Sequence, residues 1–109
     1  MKTNSTIVVL VTAKNKTEAR KIAGELLKDK LIACANLVEG VESWFTWQGK
    51  TDHSTETLMM LKTQQRLFKK LVAKVQKLHS YQTPEIIALP IVEGSGDYLQ
   101  WIDDVVTKE

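Results

Sequence analysis

The sequence predicts an α+β domain: a four-stranded antiparallel sheet with helices on one face. Three observations carry that prediction. A β-branched apolar run, Thr6–Thr12, suits a central strand; two stretches repeat apolar residues at helical spacing; and Gln48-Gly49-Lys50 folds one long extended segment back on another. At 109 residues the chain is long enough for one real core and not two, so residues 1–109 read as a single domain without a linker.

Taken in order, Thr6–Thr12 has no charged interruption and reads as a strand covered on at least one face. Asn15 with Glu18 three residues on forms a capping box, and Ala19, Ile22, Ala23, Leu26 and Leu27 make one apolar stripe of a helix ending near Lys30. From Leu31 to Trp47 the chain is extended, with Val41, Ser43, Phe45 and Trp47 on one face. At ~3.3 Å per residue this strand spans roughly 55 Å, against a radius of gyration near ~13 Å for a domain of this size. Such a strand overhangs its own fold. Gly40 marks a bulge within it, and Gly49 supplies positive φ in the turn that follows.

The returning strand runs from polar Thr51–Thr57 into apolar Leu58–Leu61. Thr63 is placed as the cap of a second helix, with Leu67, Phe68, Leu71, Val72, Val75 and Leu78 inward and Lys69, Lys70, Lys74 and Lys77 outward. Pro84 bars its continuation. Glu85–Val92 is a fourth strand, put at an edge or a bulge because Pro90 cannot donate to a ladder. Gly94 and Gly96 break the chain, and Asp97 caps a short last helix carrying Tyr98, Leu99, Trp101, Ile102 and Val105. The resulting βαββαβ order, with a long hairpin between the second and third strands and an extra C-terminal helix, is the split βαβ pattern of ferredoxin-like folds. Both helices then cover one sheet face, and the other face, flanked by Trp44, Phe45 and Trp47 on the hairpin, is a surface for self-association.

Composition narrows the function. Formal charge is +2, from 15 basic and 13 acidic residues, and the lysines are spread along helix faces, which argues against nucleic acid as a partner. No run approaches the ~20 apolar residues of a membrane span, and the polar Met1–Thr6 start does not resemble a secretory leader. Cys34 is the single cysteine, so neither an internal disulfide nor a CxxC knuckle can form. A cytoplasmic location is expected. No nucleophile elbow, phosphate loop or Ser-His-Asp order is present, so no residue is assigned as catalytic and the chain is not expected to be an enzyme.

Several segments together resemble the CutA family of divalent-cation tolerance proteins: Lys30-Leu31-Ile32-Ala33-Cys34-Ala35-Asn36, Trp47-Gln48-Gly49-Lys50, Leu61-Lys62-Thr63, and His79-Ser80-Tyr81-Gln82-Thr83-Pro84-Glu85-Ile86-Ile87-Ala88-Leu89-Pro90-Ile91, then Gly94 and Asp97-Tyr98-Leu99-Gln100-Trp101. The resemblance implies a homotrimer in which Trp44, Phe45 and Trp47 contribute to the subunit interface. It also implies binding of copper(II) or another divalent cation, with His79 and Cys34 as ligands. The pattern is incomplete here: Leu78 stands where some members carry a second histidine, Ser80 replaces the usual proline, and Val11 stands where some have a cysteine.

Each candidate residue also has a structural reading. His79 suits the negative end of a helix dipole, and Cys34 suits a small buried hydrophobe. Trp47, Lys62, Tyr81 and Glu85 form either a cleft between subunits, holding an anion or small polar ligand, or an interfacial network in which Glu85 pairs with Lys62 across strands and the Tyr81 hydroxyl caps a backbone group. His53 reads as an exposed loop residue. The alternatives to a metal-response trimer are a small-ligand-binding signalling trimer similar to nitrogen-regulatory proteins, and an enzyme using Lys62, Tyr81 and Glu85.

Overall fold

A computed structural model describes residues 5–108; residues 1–4, part of the polar opening segment, and Glu109 lie outside the described residues. The elements are β1 (Thr6–Ala13), α1 (Lys16–Lys28), β2 (Cys34–Trp47), β3 (Lys50–Gln64), a 3-10 turn (Gln65–Leu67), α2 (Phe68–Leu78), β4 (Ile86–Pro90) and α3 (Gly96–Val105). The sheet order is β2-β3-β1-β4, antiparallel throughout. That is the ferredoxin-like arrangement, with the long hairpin and the added C-terminal helix as expected.

Local chemistry explains the boundaries. The Asn15 side chain accepts the Glu18 N–H at 2.9 Å and starts α1; Glu18 returns its carboxylate to the Lys14 N–H at 3.0 Å, one residue before the reciprocal bond of a regular capping box. α1 ends in a Schellman motif, with Leu31 N–H on the Leu26 carbonyl and Lys30 N–H on that of Leu27. Lys30 takes the left-handed position at φ 56°. This turn tucks Leu31 and Ile32 into the core, so β2 begins at Cys34 and is shorter than the run from Leu31 suggests.

Thr63 is a second correction. It is the penultimate residue of β3, fully buried, and its hydroxyl donates to the Leu31 carbonyl at 2.7 Å, so α2 is entered through the 3-10 turn without a side-chain cap. Asp97 lies in the first turn of α3 and not at its cap, which is Ser95. β4 is shorter than Glu85–Val92, and Pro90 closes it on the sheet edge, opposite Ile7.

Strand alternation divides the sheet into two different faces. Ile7, Val9, Val11, Met59 and Leu61 point toward α1 and α2, where Ile22, Leu26, Leu71 and Val75 complete the core. Each such fully buried side chain contributes on the order of 1.5–3 kcal/mol. The opposite face carries Val8, Leu10, Leu58 and Met60, with Val38, Ile87 and Leu89 between 43% and 49% exposed. Within one chain this apolar face is largely uncovered. α3 packs across β3 and β1, burying Ile102 and Val106 and leaving Tyr98 and Trp101 half exposed.

The hairpin projects beyond the other two strands. β1 pairs with β3 only as far as Thr57, whereas β2 and β3 stay paired to Trp47–Lys50. The long axis is 48 Å against 26 and 22 Å across. The register shifts between Val38 and Val41, where Gly40 adopts φ 75°, and the hairpin closes through Gln48 (φ 52°) and Gly49 (φ 77°), both left-handed as a two-residue I′ turn requires.

Candidate functional site

Two polar clusters and the aromatic hairpin tip hold the chemistry-bearing side chains. The first cluster forms where the end of α2, the start of α1 and the end of β1 meet. His79 is the C-cap of α2 and is buried. Its Nδ1 accepts the Tyr81 N–H at 3.0 Å, so Nε2 carries the proton and donates to the Thr12 carbonyl at 2.7 Å. The ring is therefore a neutral tautomer with both nitrogens engaged.

Glu18 binds the same loop, accepting the Ser80 N–H at 2.8 Å. Burial alone would raise its pKa, but the bonds from Ser80 and Lys14 outweigh burial and hold it below the usual carboxylate value. The Tyr81 hydroxyl donates to Glu56 Oε2 at 2.7 Å, and burial together with that carboxylate pushes the phenol up to about 12. Glu56 is only 8% exposed.

The second cluster lies on the open sheet face. Cys34 and Lys62 are directly opposed across β2 and β3, the Lys62 ammonium donates to Asn36 Oδ1, and Cys34 Sγ meets the Tyr98 hydroxyl at 3.4 Å. That contact, more than burial, raises the Tyr98 pKa. Cys34 is half-buried, not the enclosed hydrophobe expected from its strand.

At the hairpin tip Trp44 opposes His53 and their rings stack at 4.5 Å, so His53 is a strand residue and not part of a loop. Trp44 and Trp47 are 61% and 60% exposed, and Phe45 is 40% exposed. Strand alternation puts Phe45 and Trp47 on one face of the hairpin and Trp44 on the other.

Lys62 stands apart from both Trp47 and Glu85 within one chain. Lys62 and Trp47 sit at opposite ends of the hairpin, roughly 40 Å apart at ~3.3 Å per residue. Glu85, just before β4, lies two strands from Lys62 and roughly 13 Å further along, so a Glu85–Lys62 pair does not form in the chain. Tyr81 bonds a carboxylate and not a backbone group. Glu56, Glu18, Asn36 and Tyr98 were missed as partners. Only the Asn15–Glu18 spacing gave a local signal, and the other contacts depend on strand register.

A metal centre within one chain does not fit these donors. The His79 nitrogens are both used, Cys34 stands against a phenol, and among the described residues no group of three His, Cys, Asp or Glu side chains gathers. Among the described residues no helix is long and apolar enough to cross a membrane.

The fold and its two clusters define a small ferredoxin-like protein with one sheet face exposed and a projecting aromatic hairpin. The family described as CutA1 divalent ion tolerance protein matches residues 7–105, and the chain belongs to that family. It is 44% identical over 95 residues to the divalent-cation tolerance protein CutA of Thermus thermophilus, covering 87% of this chain and 92% of that one. It is 44% identical over 101 residues to the chloroplastic protein CutA of Arabidopsis thaliana, covering 93% of this chain and 56% of that relative. The chain thus spans about half the length of the plant relatives it matches. A solved Thermus thermophilus divalent cation tolerance protein (Cut A1) superposes with a TM-score of 0.92 at 41% identity, covering 94% of this chain and 99% of that one.

Proposed function

We propose that this chain, one domain over residues 1–109, works as a homotrimer in the response to divalent metal ions. It takes up copper(II) or another divalent cation, without catalysis, at sites completed between subunits. The observation that carries the reading is the uncovered apolar sheet face beside a hairpin that outreaches its own domain. A second copy covers that face and receives the Trp44, Phe45 and Trp47 tip. Such docking brings the tip of one subunit toward Lys62, Tyr81 and Glu85 of another, which one chain keeps apart.

Cation binding draws its support from the family's name and from Cys34 on the surface where copies meet; His79 joins only by giving up its bond from Tyr81. The lone cysteine suits a reducing, cytoplasmic compartment, while the Arabidopsis relative is named chloroplastic. The Lys62–Asn36 pair beside apolar surface favours one alternative, a small-ligand-binding signalling trimer. Calorimetric titration with Cu(II), Zn(II) and ATP separates the two. Saturable Cu(II) uptake weakened in Cys34→Ser or His79→Ala supports the metal reading, and ATP uptake with no metal uptake overturns it.

A further inference from the structure

Strand register lays out the open sheet face in rows: Cys34, Lys62, Val8 and Leu89, then Asn36, Met60, Leu10 and Ile87, then Val38, Leu58 and Thr12. Glu85, one residue before β4, keeps the parity of Ile87 and Leu89 and extends the third row beside Thr12. The face is therefore largely apolar, with a cation toward one corner and an anion toward the other. Among the described residues neither charge is neutralised. The Lys62 ammonium donates to Asn36 Oδ1, an uncharged acceptor, and among the described residues its side chain has no carboxylate partner. Glu85 is exposed, and among the described residues its carboxylate has no hydrogen-bond or ion-pair partner.

We propose that in the assembly Lys62 of one copy forms an ion pair with Glu85 of the partner subunit. The inference rests on the reading above, that copies cover one another's open face, and names the contact that sets how they dock. Such covering takes Lys62 out of water against Val8, Met60 and Leu89, and a buried ammonium is tolerated only when a counter-charge meets it. Asn36 supplies an acceptor but no charge. Within one chain Glu85 cannot serve, since it lies two strands away and roughly 13 Å further along. A cation and an anion at separated points on one face make that face complementary to a copy of itself. The register that joins them also keeps Lys62 from Lys62 and Glu85 from Glu85, so like-charge repulsion disfavours the other registers.

The test compares the wild-type chain with Lys62→Glu, Glu85→Lys and the double variant carrying both exchanges, each followed by light scattering on dilution and in rising urea. Far-UV circular dichroism checks that every variant is folded. Each single exchange places like charges together, so assembly should weaken at least about tenfold, and the double variant should recover most of that loss. Should an exchange unfold the chain, Lys62→Gln, Glu85→Gln and their double variant replace it, and strictly additive losses overturn the pair. Single exchanges that assemble as well as the wild type, or a double exchange no stronger than the singles, overturn the pair while leaving the docked face standing. A wild-type chain that stays monomeric overturns both.

Discussion

The Tyr81 hydroxyl donates to Glu56 at 2.7 Å, joining the loop after α2 to a carboxylate that is almost fully buried on β3. Tyr81→Phe keeps the ring and leaves Glu56 without that donor. The expected cost is about 1–3 kcal/mol of stability, read from urea unfolding. Unchanged unfolding would show that the bond is replaced by water.

The same pair sets an alkaline limit. Because burial and Glu56 raise the folded Tyr81 pKa from 10.0 to about 12, the folded state holds this proton more tightly than the unfolded state does. The stabilisation is complete below pH 10.0 and is lost as pH rises through about 12. Melting temperatures followed across that window should fall more steeply in the wild-type chain than in Tyr81→Phe.

Glu18 sets the acid side. Its folded pKa lies below the ordinary glutamate value of 4.5, so its contribution is present above that pH and lost as pH falls through the lowered folded value. Glu18→Gln should flatten the acid limb of the stability profile. It should also loosen the loop at Ser80, seen as faster amide hydrogen exchange at that residue.

Two glycines should respond in opposite directions. A Cβ at Gly40 meets open space, but φ 75° places an L residue in the left-handed region, so Gly40→Ala should cost about 1–2 kcal/mol. Gly24 lies within α1, also with open space, and Gly24→Ala should stabilise by about 0.5–1 kcal/mol. Thermal unfolding of the two variants compares them directly.

Much of the fold was legible because period and punctuation agree. The β-branched first strand, the Asn15–Glu18 cap, the Gly40 bulge, the Gln48-Gly49 turn and Pro90 at an edge each encode local backbone chemistry. The start of β2 was misplaced because Lys30, and not a glycine, closes α1, while Leu31 and Ile32 are as apolar as a strand. Thr63 resembles a helix cap in sequence, but its hydroxyl is taken by the Leu31 carbonyl, a contact set by tertiary packing. The candidate site was less legible for the same reason. Lys62 meets Asn36 and Cys34 through β2–β3 register, and Tyr81 meets Glu56 across 25 positions, so neither relation is written in local spacing.

The central claim is that copies of this chain cover one another's open sheet face. Size-exclusion chromatography with light scattering at micromolar concentration tests it most directly. A particle of three times the 12.3 kDa chain mass is the predicted result, and a monomer of 12.3 kDa would contradict it.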